Sequence, residues 1–308
     1  MIRFAAVADL QYGDLDETIG RTYRDSIQKF LISAGEISRA DIEFAMNFGD
    51  AWQSDWSNAL AVRELFHVSE KYAGITWRHV LGNHDFHVEK DKKSEVYGLL
   101  GLEKPGYYDF LVADPEDAKN RWRFVVLNGN EISEYASETK EERERAKAER
   151  ERWRRTDADN KLPAEWNGSL SQTQLDWVER TLSEADANGE NVAVCSHFPL
   201  YAQSKTLDSP RTKLASLVNL DVFYFRLGIS TWNGSDLLEI LDRHACVKAY
   251  LAGHLHEGSY GVRNNVAHVT FKGVVETPKN CYAFVELHKN AIVVDGCLAQ
   301  PSYRHEFE

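Results

Sequence analysis

The chain is predicted to be an α/β protein, on three features of its sequence. Short apolar runs alternate with segments whose apolar residues recur at helical spacing. Five of the apolar runs stop at residues that bind metals or move protons. The last third of the chain reads as alternating strands. Open α/β sheets bind ligands beyond the carboxyl ends of their strands, so polar groups delivered by several strand ends belong to one site.

The five endings define that site. Ala5 to Ala8 leads into Asp9-Leu10-Gln11, and Phe44 to Phe48 leads into Gly49-Asp50. Trp77 to Leu81 leads into Gly82-Asn83-His84-Asp85. Val192 to Cys195 leads into Ser196-His197, and Val247 to Ala252 leads into Gly253-His254-Leu255-His256. A length of 308 residues allows two domains, but groups from Asp9 to His256 must converge, which predicts a single domain over 1–308.

Taken in order, the first strand is followed by a polar loop and a helix from about Thr18 to Gly35, with Ile19, Tyr23, Ile27, Phe30, Leu31 and Ala34 on its apolar face. A second helix is expected from Asp55 or Ser57 to Tyr72, burying Leu60, Leu65, Phe66 and Val68. Tyr107–Val112 and Trp122–Leu127 read as strands of a second sheet. Residues 138–155 interleave acidic and basic side chains with almost no apolar face; i,i+4 pairs such as Glu141–Arg145 and Lys147–Glu151 predict a solvated helix outside the core. Ser171-x-x-Gln174 is a capping-box pattern opening a helix to about Ala187, with Gly189 as its stop. A long loop is expected from Phe198 to about Asn219, and Asp236-x-x-Glu239 opens a helix over Leu237–His244. Val266–Thr270, Tyr282–Leu287 and Ala291–Val294 read as antiparallel strands closing a sheet.

Composition narrows the function. Apolar residues make up 43%, and no run approaches the roughly 18 residues of a membrane span. Met1-Ile2-Arg3 leads straight into the first strand, so no signal peptide is expected. Cys195, Cys246, Cys281 and Cys297 lack CxxC spacing and read as reduced residues of a cytoplasmic protein. A net charge of −12 argues against a nucleic-acid polymer and against an anionic membrane surface as partner. It does not argue against a phosphorylated small molecule, provided metal ions supply local positive charge.

Asp9, Gln11, Asp50, Asn83, His197, His254 and His256 are seven candidate metal ligands. With Asp50 bridging, they would fill the protein positions around two divalent ions. Such a pair, about 3.5–4 Å apart, clamps the attacking and leaving oxygens of an in-line phosphoryl displacement. Asp9 and Asp50 offset only half of the four positive charges of two dications, and the surplus attracts phosphate or diphosphate.

These blocks, Asp9-x-Gln11, Gly49-Asp50, Gly82-Asn83-His84-Asp85, His197 and Gly253-His254-x-His256, resemble the signature of the calcineurin-like metallophosphoesterases across nearly the whole chain. The resemblance implies a four-layer α/β sandwich, two mixed sheets between helices, with a dinuclear centre. It implies one ion on Asp9, Gln11, Asp50 and His256, and the other on Asp50, Asn83, His197 and His254. His84 would contact the phosphoryl group and help protonate the leaving oxygen, and Asn83 would stabilise the developing charge. Asp-x-Gln at the first block is similar to the manganese-dependent ADP-ribose/CDP-alcohol diphosphatases. So are Tyr23-Arg24-Asp25-Ser26, Trp166-Asn167-Gly168 ahead of Gln174-Leu175-Asp176-Trp177, Trp232-Asn233, and His268 before Gly273-Val274-Val275-Glu276-Thr277. Asp85 stands where that group tends to have glutamate; Ala51-Trp52-Gln53 and Leu127-Asn128-Gly129 also depart from it.

The expected function is therefore a hydrolase of phosphoanhydride or phosphodiester bonds in nucleoside-diphosphate-linked small molecules, as the resemblance implies. Mn²⁺ is the expected metal, ahead of Fe, Zn or Mg, because Gln11 would offer a hard amide oxygen. Other readings are a cyclic-nucleotide phosphodiesterase, a phosphomonoesterase, or a metal-binding scaffold without turnover. Trp232, Asn233 and Tyr260 are candidate substrate contacts, and Trp52 and Tyr201 could also stack on a base, against the plainer reading that these aromatics pack the core. His67, His79, His87, His244, His268, His288 and His305 receive no role.

Overall fold

The computed structural model describes residues 1–154, 162–200 and 229–307. Tyr201, most of the loop predicted from Phe198 to Asn219, and residues 155–161 lie outside them. In chain order the elements begin with β1 (Ile2–Val7), α1 (Ser26–Ile37), β2 (Phe44–Asn47), α2 (Trp56–Ala73), β3 (Trp77–His79) and α3 (Val96–Leu99). Then come β4 (Tyr108–Ala113), β5 (Arg121–Val126), β6 (Ile132–Ser133), α4 (Lys140–Arg152), β7 (Gly168–Ser169), α5 (Gln172–Asn188) and β8 (Asn191–Cys195). The chain continues through α6 (Gly234–Leu241), β9 (Val247–Ala252), β10 (Ser259–Arg263), β11 (Val266–Thr270), β12 (Cys281–His288), β13 (Ala291–Leu298) and β14 (Tyr303–Glu306).

Two six-stranded mixed sheets result, ordered β14-β13-β12-β1-β2-β3 and β10-β11-β9-β8-β5-β4. Side chains alternate across each strand, so β1 turns Phe4 and Ala6 toward the second sheet and Ala5 and Val7 toward the helices. β5 likewise turns Trp122, Phe124 and Val126 inward and Val125 outward. Phe4, Phe44, Phe110 and Phe124 join the sheets, with ring centroids 4.8–5.4 Å apart. On the outer faces, α1 and α2 pack against β1–β3 through Phe30, Val62 and Phe66, while α5 and α6 pack against β5, β8 and β9 through Val178, Leu182 and Leu237. The order is helix, sheet, sheet, helix: the four layers expected. β1, β2 and β3 run parallel in one sheet, as do β5, β8 and β9 in the other, which sends the ligand-bearing loops to carboxyl ends.

Several local expectations change. α1 starts at Ser26, not Thr18: Thr18–Arg21 is a turn in which Ile19, 98% exposed, takes a left-handed φ of 54°. Leu31, Leu60 and Val68 are exposed, because the buried face of α1 is set by Phe30, Ala34 and Ile37 and that of α2 by Ala59, Val62 and Phe66. α6 begins at Gly234, so Asp236 lies inside its first turn. β11 joins the second sheet beside β9, in parallel, while β12–β14 close the first.

The charged helix α4 has a complete capping box between Thr139 and Glu142. It is anchored, since Ala146 is buried and Arg150 reaches the buried Glu134 at 2.7 Å. On α5, Ser171 accepts the Gln174 N–H as expected, but the Gln174 side chain turns inward to Asn128 and Glu131. Glu131 instead accepts the Ser171 N–H at 3.0 Å.

Candidate metal centre

Four of the predicted ligands have backbone φ values that L-residues rarely adopt: 52° at Asp9, 41° at Gln11, 53° at Asp50 and 68° at His254. Left-handed backbone costs a non-glycine residue on the order of 1–3 kcal/mol and persists where surroundings enforce it. Glycines make the crowding possible. A Cβ at Gly49 would lie 2.7 Å from His197 Nδ1, one at Gly253 would lie 2.8 Å from Asp9 Oδ2, and one at Gly82 would collide with Asp50 Oδ1. The Gly-Asp, Gly-Asn and Gly-His pairs are thus a packing requirement of strand-end loops from two sheets meeting at one point.

The side chains form two groups joined at Asp50. In the first, His197 Nε2 lies 3.2 Å from Asp50 Oδ2, from Asn83 Oδ1 and from His254 Nδ1. His197 Nδ1 faces the Phe48 carbonyl at 2.8 Å, which places a proton on Nδ1 and a lone pair on Nε2 in the neutral ring. That lone pair then meets the Asp50 and Asn83 oxygens, an arrangement that a proton or a cation at Nε2 reconciles. In the second group, His256 Nε2 lies 3.2 Å from Asp9 Oδ1 and 3.3 Å from Gln11 Nε2, which is itself 3.1 Å from Asp50 Oδ2. Donor atoms about 3 Å apart match neighbouring ligands on one cation with bonds of about 2.1 Å. The Asp50, Asn83, His197 and His254 atoms thus fit one divalent ion, and Asp9 with His256 offers ligands for a second beside it.

Electrostatics agree. Burial opposes charge on Asp50, yet the neighbouring histidines, His197 foremost, hold its carboxyl far below its usual range. Burial likewise works against protonated His197 and His256, but Asp50 raises the first to about 9, and Asp9 with Glu276 raises the second to about 9. Those protons occupy the electrostatic role that cations fill. His254 is driven well below the ordinary histidine range by burial and by His197.

Gln11 departs from expectation. Its Nε2, not its oxygen, faces Asp50 and His256, and Oε1 turns to the Arg21 guanidinium at 3.5 Å. A half-turn of the amide would bring the oxygen inward but set its NH₂ against a cation. His84 stands on the open side: its backbone N–H donates to Asp50 Oδ1 at 2.7 Å, and its ring, 19% exposed, brings Nε2 to 4.0 Å from Asp50 Oδ2. Burial is the main reason its pKa falls to about 4.

Among the described residues, the aromatic candidates make contacts within the fold. Trp52 is fully buried and donates to the Asp85 carbonyl; Trp232 donates to the Ala164 carbonyl at 2.9 Å. Asn233 exchanges two hydrogen bonds with the Leu170 backbone, and Tyr260 stacks on Tyr303 at 4.6 Å. These contacts give Trp232, Asn233 and Tyr260 structural partners within the fold. A second cluster, Asp186, His244 and Cys246, differs from the centre in being saturated. Asp186 accepts from the Cys246 N–H at 2.8 Å, and His244 sits between Asp186 and Glu179 at 2.7 and 3.1 Å. It pins α5 to the start of β9.

Sequence reasoning missed three participants. Asp85, noted only as a departure, accepts the N–H groups of Asp50, Ala51 and Gly82. Burial and Asp50 push its carboxyl up to about 7, against those donors. Arg21 reaches Gln11 and Glu276, and Glu276 lies 2.9 Å from His256 Nδ1. The Gly273–Thr277 segment was visible as a resemblance, but no spacing rule ties it to His256.

Strand-end ligand loops on a double-sheet sandwich, with a carboxylate shared between two donor groups, define a dinuclear-metal hydrolase scaffold. Residues 2–258 match the calcineurin-like phosphoesterases, and the chain belongs to that family. It is similar to the manganese-dependent ADP-ribose/CDP-alcohol diphosphatase of Xenopus laevis, 25% identical over 95% of this chain and 87% of the relative. The protein of that name from Arabidopsis thaliana is 27% identical over 96% and 94%. In fold it is similar to a dimetal phosphatase from Danio rerio, with a TM-score of 0.78, 21% identity, and coverage of 100% of this chain and 99% of the other. Among the described residues no helix is long and apolar enough to cross a membrane.

Proposed function

We propose that this chain hydrolyses the diphosphate linkage of nucleoside-diphosphate-linked small molecules, such as ADP-ribose and CDP-alcohols, with two Mn²⁺ ions. The observation that carries the reading is the buried cluster of Asp50, Asn83, His197 and His254, with the Asp9–His256 pair joined to it through the Gln11 amide. The substrate class and the metal rest on relatives of that printed name, which align over nearly the full chain. The ions would supply positive charge to phosphoryl oxygens and make water a stronger nucleophile.

The protein's own part is positional. Asp50, Asn83, His197 and His254 would hold one ion, and Asp9, Asp50 and His256 the other. Gln11 holds Asp50 in place through its N–H. The Asn83 amide would donate to phosphoryl oxygens as charge builds. His84, on the open side, would hydrogen-bond the leaving oxygen; an arriving phosphate raises the affinity of its ring for a proton. Four free cysteines suit a cytoplasmic setting, and one domain spans the chain.

The test supplies Mn²⁺ to metal-free protein and offers ADP-ribose, CDP-choline, a cyclic nucleotide and a phosphomonoester. Preferential cleavage of the two diphosphates is expected. Turnover of the monoester alone would overturn the substrate class, and no turnover of any would leave a metal-binding scaffold.

A further inference from the structure

The ring of His256 is fixed from three directions. Its Nε2 faces Asp9 Oδ1 at 3.2 Å, its face lies on Gly273 where a Cβ would come within 2.7 Å, and its Nδ1 lies 2.9 Å from Glu276 Oε1. That Glu276 oxygen also takes the Arg21 Nε at 2.8 Å. The Gly273–Thr277 turn is sewn to the same half of the site: Gly273 N–H donates to the His256 carbonyl, Val274 N–H to Ala8, and Val275 N–H to Asp9. The buried Lys29 ammonium caps the Val274 carbonyl at 3.0 Å. Nothing in this turn touches the His197 group in the same way. There, the neutral Phe48 carbonyl faces the distal ring nitrogen, at 2.8 Å.

We infer that Glu276 is a positioning residue that prepares His256 to bind one of the two metal ions. A ligating histidine must present a lone pair, so its proton must sit on the other nitrogen, and a carboxylate beside that nitrogen selects this tautomer and makes the ring a better donor. Glu276 meets that requirement with a full negative charge, whereas His197 has only a carbonyl dipole. The Nδ1···Oε1 separation is short, but the N–H direction lies off the ideal line, so charge carries the contact. Arg21 Nε, on the same oxygen, holds the carboxylate in place. The two metal positions are therefore unequal, and the Asp9/His256 position depends on Glu276.

This inference rests on the dinuclear reading, and its test separates the two. Mn²⁺ binding to metal-free protein is measured by equilibrium dialysis with metal analysis and by the electron paramagnetic resonance of bound Mn²⁺, without substrate. Wild type is expected to bind two equivalents. Glu276→Ala and the near-isosteric Glu276→Gln are expected to keep one equivalent at wild-type affinity and to weaken the other about 10- to 100-fold. In a His256→Ala background, Glu276→Ala is expected to add less than about twofold. Two equivalents in wild type with unchanged binding in both Glu276 variants would overturn the positioning role alone. So would equal weakening of both equivalents, or an additive effect without His256. A wild type that binds no pair of ions would overturn the dinuclear reading, and this inference with it.

Discussion

Asp85 Oδ2 accepts the backbone N–H of Asp50 at 3.1 Å, so the side chain that follows His84 holds the main chain of the shared carboxylate. The same carboxyl group takes Ala51 N–H at 2.7 Å and Gly82 N–H at 2.8 Å, binding the loop after β2 to the loop after β3. Asp50 needs this brace because its φ of 53° is unfavourable. Asp85→Ala would leave three buried N–H groups without an acceptor, each worth about 1–3 kcal/mol. A loss of roughly 3–5 kcal/mol, after partial relaxation, is expected in urea unfolding of the metal-free protein. Stability within about 1 kcal/mol of wild type would mean that the loops hold their shape without it.

Asp50 and His84 should separate metal retention from turnover. Asp50→Asn removes the negative charge common to both donor groups, and at least one equivalent of Mn²⁺ should be lost on gel filtration. His84→Ala should keep both ions while kcat drops about 10²- to 10⁴-fold, the usual range for a positioned proton-transfer group. Metal analysis beside steady-state rates decides it. Equal metal loss in the two variants would make His84 a ligand.

Gln11 offers a test of how closely its side chain sits against Asp50. Gln11→Glu puts a carboxylate oxygen about where Nε2 now lies, 3.1 Å from Asp50 Oδ2. Two buried like charges at that distance repel, so the melting temperature of the metal-free variant should fall by several degrees. Mn²⁺ should then restore more stability than in wild type, because the new oxygen adds a ligand. If the metal-free variant melts with wild type, the side chain at position 11 does not sit against Asp50.

Two buried histidines away from the centre set an acid limit. Burial lowers His79 to about 3 and His268 to about 3, against an ordinary value of 6.5. The folded chain therefore binds fewer protons than the unfolded chain below pH 6.5. The stability they allow is complete above that value and is withdrawn as pH falls toward 3. Each pH unit removes about 1.4 kcal/mol per histidine, or roughly 2 kcal/mol each by pH 5. His79→Phe, whose ring would sit between Phe66 and Trp77, should reduce the loss between pH 7 and pH 5 by about 2 kcal/mol. A slope equal to wild type would assign the acid sensitivity elsewhere.

The sequence by itself determined the location of the site, and the family resemblance supplied the layers. Apolar runs such as Ala5 to Ala8 read as buried strands, and a buried strand delivers its final residues to a known edge. Asp9, Asp50, Asn83, His197, His254 and His256 were therefore legible as a set. The start of α1 was not, because Ile19 satisfies helical spacing while its backbone turns left-handed. Nor could spacing show which atom of Gln11 faces Asp50, which carboxylate stands behind His256, or that Asp85 joins two loops. Those are contacts between residues 20 to 245 positions apart in the chain, and hydrogen-bond direction depends on angstrom-scale placement that pattern does not encode. Only tertiary structure brings Arg21, Glu276 and His256 onto one line of charge, because three separate strand-end loops must first be packed against each other before any of the three can find its partner.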